Sequence, residues 1–315
     1  MSQSVLFSVV LPVFCFIGLG YLVITVRLIG AATGEAVAVF VFNVAIPFLL
    51  FRAIGTMEIA ALDPWPFWLA YFGVAAVNFA LGVVIIRKGF GRDGQAGVIA
   101  GLCASYSNVV MVGMPVVAAA FGEAGLVTML LLIAVHLPVM MTASAVLFEL
   151  TATGPREERG LGKALLRVLK NLARNPMIIA ILAGIAFRFS GLSLEGIPRD
   201  VVDGVSDTAI PLALISLGMS LHRYGVKGNV LPAVALGVTK LAVMPVLAFV
   251  VARYVFELPP LGVAIVVVGA ACPTGANAYL MANRMQTGLA LSANTITLTT
   301  AISVLTMGFW LSLLL

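Results

Sequence analysis

The chain has 315 residues, of which 62% are hydrophobic and only 10% are charged, and its formal net charge is +5. A mean hydropathy of +1.14 excludes a single water-soluble core and predicts a protein embedded in lipid. The apolar runs lack the alternation of polar and apolar residues that a membrane barrel requires, so the membrane-spanning segments are predicted to be helices.

Polar breaks divide the chain into ten predicted membrane-spanning helices. A bilayer core of about 30 Å needs about 20 apolar residues per helix, and the apolar runs are of roughly this length. The predicted spans lie near residues 5–26, 34–54, 65–86, 94–121, 125–150, 174–190, 201–222, 229–252, 260–284 and 290–314.

Lysine and arginine residues separate by side when they are assigned to alternate loops. Thirteen of the 18 fall on one side, four fall on the other, and Lys240 lies within a span. Because basic loops tend to stay in the cytoplasm, this asymmetry predicts that both termini lie on the outer side. The scattered basic residues therefore reflect topology and do not indicate a nucleic-acid partner.

The three cysteines, Cys15, Cys103 and Cys272, all fall within apolar runs. Their odd number and the lack of C-x-x-C spacing argue against a disulfide framework and against a zinc site. We therefore predict neither a metal site nor a resident cofactor.

A short repeat divides the spans into two halves. The motifs NVAIP, 43–47, and DTAIP, 207–211, each fall in the second span of a half. Two similar halves of five spans must insert in opposite orientations, which predicts the inverted repeat of many secondary transporters. The predicted units are a first five-helix repeat, 1–152, a cytoplasmic amphipathic connector, 153–173, and a second, inverted five-helix repeat, 174–315.

The fourth span of each half contains residues that interrupt a helix. The segments SYSNVVMVGMP, 105–115, and CPTGANA, 272–278, both combine proline with glycine. Each span is predicted to open near mid-membrane, where protein, water or a ligand must satisfy the freed backbone groups. Half-helix N-termini would then attract an anion to a shared pocket, and Asn108 and Asn277 would add neutral hydrogen-bonding groups.

The segments SNVVMVGMP and CPTGANAYLMA resemble the auxin efflux carrier family, which includes plant PIN-FORMED carriers and bacterial malate and malonate permeases. The resemblance covers essentially the whole chain. It implies a five-plus-five inverted repeat, a scaffold part that forms a homodimer, and broken fourth and ninth helices that cross at their prolines beside the substrate. The implied fold is similar to those of bile-acid sodium symporters and sodium/proton antiporters. The long cytoplasmic loop of the plant carriers is missing, which indicates a bacterial protein of the inner membrane.

The resemblance also implies roles for individual residues. It gives Asn108 a substrate contact and places the crossing at Pro115 and Pro273. Asn43 has an alternative reading as a hydrogen-bonding partner of a neighbouring helix. The predicted substrate-binding residues are Asn43, Ser107, Asn108, Gly113, Pro115, Pro273, Thr274, Gly275 and Asn277.

Three ionisable residues within predicted spans, Asp207, Lys240 and His136, are candidates for coupling transport to a proton or a sodium ion. Asp207 should be paired, protonated or cation-bound if it is buried, or else it lies wet near the outer interface. Lys240 either bonds Asp207 or helix-end carbonyls, or it places positive charge behind the crossing. His136 could carry protons, although a lone membrane histidine is more often structural.

Other functional classes fit the sequence less well. We predict no enzyme, because the spans contain no paired aspartates, serine–histidine pair or H-E-x-x-H motif. The main alternative is a sodium or proton transporter of the related fold, but such carriers usually place acidic residues where this chain has Asn108 and Asn277. The sequence therefore predicts a secondary active transporter or symporter of a small organic anion that works by alternating access. Its substrate would be a mono- or dicarboxylate such as malonate or malate, or an auxin-like acid.

Overall fold

The computed structural model describes residues 9–56, 63–151, 173–224 and 230–315, together with positions 162, 166, 169, 170 and 228. Within these residues the structure is helical, and extended pairing is limited to one isolated bridge between Ser107 and Thr274. The predicted all-helical class is confirmed. The predicted connector, 153–173, lies largely outside the described residues.

In chain order the helices of the described residues are α1 Leu11–Thr25, α2 Ala32–Thr56, α3 Pro64–Gly89, α4 Gly94–Ser105, α5 Val109–Thr151, α6 Pro176–Phe189, α7 Ile197–Tyr224, α8 Val230–Val255, α9 Pro260–Ala271, α10 Asn277–Arg284 and α11 Leu289–Leu314. Six of them, α2, α3, α5, α7, α8 and α11, are long and apolar enough to cross a membrane. Gly122, with φ 61° and ψ −149°, interrupts α5, so the predicted spans 94–121 and 125–150 meet within this element.

Three helices contain a π-helical turn of five residues that ends two positions before a proline. The turns are Val41–Ala45 in α2, Val109–Gly113 in α5 and Thr239–Val243 in α8, and the prolines are Pro47, Pro115 and Pro245. Proline removes one backbone donor and its ring crowds the carbonyl of the preceding turn, and a wider turn relieves both problems. The same local chemistry therefore shapes the backbone around Asn43, Asn108 and Lys240.

The helices pack in two groups. The four-helix group consists of α1, α2, α6 and α7, and the crossover group consists of α3, α4, α5, α8, α9, α10 and α11. Close backbone contact holds α1 against α7, because a Cβ atom on Gly20 would lie 2.0 Å from the Ile215 carbonyl oxygen and one on Gly218 would lie 1.9 Å from that of Ile17. Small residues at such contacts allow helices in lipid to approach closely.

Candidate functional site

The two interrupted segments contact each other through their backbones. The Asn108 N–H donates to the Pro273 carbonyl at 2.8 Å, and the Gly275 N–H donates to the Tyr106 carbonyl at 3.0 Å. These bonds form the antiparallel bridge between Ser107 and Thr274. The peptide groups freed by the two breaks thus satisfy one another deep in the protein, as backbone in a lipid environment requires.

The C-terminal end of α4 is satisfied by neutral donors. The Thr274 hydroxyl donates to the Cys103 carbonyl at 2.7 Å, and the Asn78 amide donates to the Ala104 carbonyl. Asn78 also donates to the Thr239 carbonyl in α8 at 3.3 Å. Helix-end carbonyls have no partner within their own helix, so these side chains complete the last turn.

The C-terminal end of α9 is satisfied by a cation. Lys240 is fully buried in the π-helical turn of α8, and its Nζ donates to the Ala270 carbonyl. Of the two partners that the sequence suggested for Lys240, the helix-end carbonyl is the one found, and the pair with Asp207 is wrong. Asp207 instead bonds Arg52.

Two glycines permit the crossing. A Cβ atom on Gly275 would lie 2.5 Å from Tyr106 Cε1, and one on Gly113 would lie 2.9 Å from Met129 Cε and 3.0 Å from Cys272 Sγ. Distances below 3.0 Å require displacement of the neighbouring group. The glycines therefore let the two segments and α5 approach one another.

New helices begin directly after the bridge. Asn108 caps α5, because its Oδ1 accepts from the Met111 N–H at 3.3 Å. Asn108 Nδ2 and the Ser107 hydroxyl are both buried without a hydrogen-bond partner among the described residues. Asn277 is the first residue of α10, and its Nδ2 donates to the Tyr106 hydroxyl at 2.7 Å.

These helix starts face a cavity of about 430 Å³, which we call the crossover cavity. Its wall also includes residues of α2, α6 and α7, so the cavity lies between the four-helix group and the crossover group. Among the described residues no lysine or arginine lines it, and Glu35 is its one acidic lining residue. The predicted site residues that line it are Asn43, Ser107, Asn108, His136, Gly275 and Asn277.

The remaining predicted substrate-binding residues lie behind this wall or further along the chain. Pro273 and Thr274 belong to the bridge, and Gly113 and Pro115 are buried within α5. The expected crossing at Pro115 is therefore displaced: the bridge forms at Ser107, and Pro115 follows a π-helical turn beyond it. The positions of these four residues indicate that they support the crossing and do not line the cavity.

His136 forms part of an aromatic cluster at the cavity. Its side chain is buried, and Nε2 lies 3.2 Å from the Tyr71 hydroxyl. The imidazole ring also packs against Tyr106, with ring centroids 4.6 Å apart, and against Phe72. These contacts hold the ring at the cavity wall.

A second and larger hollow lies at the other end of α2. This charged vestibule has a volume of about 710 Å³. Arg52 donates to Asp207 at 2.9 Å and to Asp203 at 3.1 Å, and the Asp207 side chain is 70% exposed. Of the two alternatives that the sequence allowed for Asp207, the solvent-exposed position is therefore the one found. The ionisable residues that line the vestibule are Arg52, Glu123, Glu195, Arg199, Asp203 and Asp207.

Sequence reasoning missed two polar residues that shape the crossing, Asn78 and Tyr106. Asn78 stands in the apolar run AAVNFAL of α3, so its isolation in a span was a usable signal. Tyr106 adjoins the predicted break, but nothing in the sequence indicated that its hydroxyl would accept from Asn277.

Comparisons with known proteins agree with a membrane carrier. The model of a family described as "Membrane transport protein" matches residues 5–311. A protein of Rhizobium meliloti named "Putative malonate transporter" is 26% identical over 312 residues, covering 95% of this chain and 92% of the relative. An "Uncharacterized transporter" of Methanothermobacter thermautotrophicus is 25% identical over 304 residues, covering 96% of each. The chain is a multi-pass membrane transporter and belongs to this family, the auxin efflux carrier family that its interrupted segments resemble.

Proposed function

We propose that this protein is a secondary carrier that moves a small organic anion across the membrane by alternating access. The observation that carries the proposal is the Asn108 amide. This residue lines the crossover cavity and is 6% exposed, and its Nδ2 has no hydrogen-bond partner in the described part of the chain. An unpaired buried donor costs about 1–3 kcal/mol, so a ligand that accepts this bond gains affinity.

The electrostatics of the cavity favour a carboxylate. Both α5 and α10 begin at its wall, and a helix N-terminus carries about half of a positive elementary charge. Amide donors and helix ends stabilise an anion without the desolvation cost of burying an arginine or lysine beside it. Glu35 lies near the start of α2, toward the mouth of the cavity.

We propose a mono- or dicarboxylate as the substrate, such as malonate, malate or an auxin-like acid. The name of the Rhizobium relative supports a short dicarboxylate. Two half-helix N-termini on one cavity suit a molecule with two carboxylates, one at each end. The volume of about 430 Å³ also accommodates a larger acid with an apolar body.

The proposed topology is ten spans in two inverted repeats, 1–152 and 174–315. In this arrangement α4 and the first part of α5 form the fourth span, and α9 and α10 form the ninth. The basic loops favour both termini on the periplasmic side of a bacterial inner membrane. The cavity, which reaches Glu35 and Asn175, would then open toward the cytoplasm.

The proposed movement is a displacement of the crossover group against the four-helix group. The cavity lies between the two groups, and the vestibule meets the crossover group at Glu123. The two hollows lie at opposite ends of α2, which supports alternate opening at the two membrane faces. The four-helix group would act as the scaffold and form the homodimer that the family resemblance implies.

The coupling ion is proposed to be a proton or sodium ion, with Asp207 and His136 as candidate coupling groups. Asp207 lines the vestibule and His136 lines the cavity, so one candidate stands at each hollow. We expect Asp207→Asn to abolish the pH or sodium dependence of carboxylate uptake into proteoliposomes. Uptake that keeps both dependences in this variant removes Asp207 from the coupling mechanism.

The binding proposal is tested with purified protein in lipid nanodiscs. A thermal-shift screen against C2 to C6 mono- and dicarboxylates, indole acids and sodium first identifies the tightest ligand, because a ligand bound by the folded state raises apparent stability. We then expect Asn108→Ala combined with Asn277→Ala to weaken its binding at least about tenfold, or about 1.4 kcal/mol.

Asn283→Ala is the matched control, because Asn283 is exposed near the end of α10 and does not line the cavity. This variant should bind as the wild type does. Unchanged affinity in the double variant would overturn the proposal. A screen in which sodium stabilises the protein and every carboxylate fails would instead favour a cation transporter.

A further inference from the structure

Lys240 is a buried cation without a carboxylate partner. It is fully buried, and among the described residues no aspartate or glutamate lies within 4.0 Å of its Nζ. Its Nζ donates a hydrogen bond to the Ala270 carbonyl in the last turn of α9. Burial of an uncompensated ammonium costs several kcal/mol, so this side chain stays charged only if another source of negative potential stabilises it.

The ends of the two broken helices supply that potential. Asn78 donates to the Ala104 carbonyl at the end of α4 and to the Thr239 carbonyl beside Lys240, so the end of α4 is tied to the same turn of α8. A helix C-terminus carries about half of a negative elementary charge. Two such ends amount to about one negative charge, which one ammonium balances.

We infer that Lys240 is the built-in counter-charge of the crossing and takes the place of a cation from solution. The inference rests on the proposed function. With the negative helix ends neutralised by Lys240, the N-termini of α5 and α10 present a net positive potential to the cavity. A carboxylate then binds at the crossing without a sodium ion at this position.

The alternative is that the Lys240 side chain contributes packing alone. Lys240→Met separates the two explanations, because methionine fills a similar volume without the charge and lowers the desolvation cost. Lys240→Ala leaves space next to the Ala270 carbonyl, an oxygen ligand of the kind that hard cations prefer. Lys240→Arg keeps the charge.

The test measures affinity for the tightest carboxylate of the screen in nanodiscs, in sodium chloride and in choline chloride. The wild type should bind equally in both salts, within about twofold. We expect Lys240→Met to bind about tenfold more weakly in both, a loss of about 1.4 kcal/mol. Lys240→Ala should be similarly weak in choline and should regain at least threefold in sodium or methylammonium, while Lys240→Arg should stay within about threefold of the wild type.

Two results would overturn the inference. One is wild-type affinity that rises more than threefold in sodium, a result that needs no variant to fold. The other is Lys240→Met protein that binds as tightly as the wild type. If the Asn108 and Asn277 double variant still loses binding in that case, the carboxylate site stands and only the role of Lys240 fails. Full binding by the double variant would instead reject the site itself.

Discussion

The crossover cavity lies between the two helix groups, whereas the charged vestibule is lined mainly by the four-helix group, and the two hollows differ in chemistry. The cavity presents amides, a hydroxyl and helix starts, and its one described acidic residue is Glu35. The vestibule presents two arginines and four carboxylates, several of them joined in ion pairs. At the crossing, Asn108 Nδ2 and the Ser107 hydroxyl are buried without a partner among the described residues. In the vestibule, four of the six ionisable lining residues are joined in ion pairs, although Arg52 Nε is also buried without a partner.

This difference separates groups that can bind a ligand from groups that already bond to one another within the protein. Asn108 Nδ2 is buried without a hydrogen-bond partner among the described residues, and in the proposed mechanism a ligand that accepts this bond gains affinity. Arg52, by contrast, already bonds Asp203 and Asp207 within the four-helix group. We therefore expect changes at the crossing to affect affinity and stability strongly, and changes in the vestibule to affect them weakly.

Gly275→Ala should produce the largest effect. The new Cβ would lie 2.5 Å from Tyr106 Cε1 and 2.7 Å from Tyr106 Cδ1, so the bridge must shift. Overpacking of this kind typically costs about 1–3 kcal/mol, and carboxylate binding should be lost with the geometry of the crossing. Thermal unfolding and ligand binding in nanodiscs measure both effects.

Gly73→Ala is the control, since no atom lies within 4 Å of its added Cβ. Equal stability and equal binding of the two variants would show that the crossing tolerates the methyl group.

Asn78→Leu should have the next largest effect. It removes the donor to the Ala104 carbonyl and leaves a buried helix end unsatisfied, at a cost of about 1–3 kcal/mol. The free energy of unfolding should fall accordingly, and carboxylate affinity should fall with it because α4 leads directly into the bridge. Stability and affinity equal to the wild type would show that Asn78 does not support the crossing.

Arg199→Gln in the vestibule should have the smallest effect. The side chains of Arg199 and Asp203 are 63% and 37% exposed, and exposed pairs of this kind contribute about 0–1 kcal/mol. We expect stability to change by less than about 0.5 kcal/mol and carboxylate affinity to stay within about twofold. A tenfold loss of affinity would place the vestibule in the binding site and erase the contrast between the two hollows.

The interruption at Pro273 could be predicted because proline acts locally on its own helix. In the first half only the interrupted segment could be predicted, because the break lies at 106–108 and Pro115 stands beyond it within α5. The register of the crossing could not be predicted in the same way. A proline cannot donate a bridge bond, so the bridge bonds are donated by Asn108 and Gly275, and Pro273 takes part through its carbonyl.

The positions of the ionisable side chains were only partly predictable, for a related reason. Hydropathy places a residue along a span but not on a particular face of its helix. Asp207 and Lys240 both lie within predicted spans, yet one is 70% exposed in the vestibule and the other is fully buried behind the crossing. Their partners, Arg52 and the Ala270 carbonyl, come from distant parts of the chain, and only the folded arrangement brings them together.

Carboxylate binding at the crossing is tested most directly by a density map of the protein in nanodiscs with the tightest-binding carboxylate at saturation. We expect ligand density in the crossover cavity, with a carboxylate oxygen within hydrogen-bond distance of Asn108 Nδ2 and next to the first turns of α5 and α10. Density for the carboxylate in the charged vestibule, with the crossover cavity holding none, would contradict it.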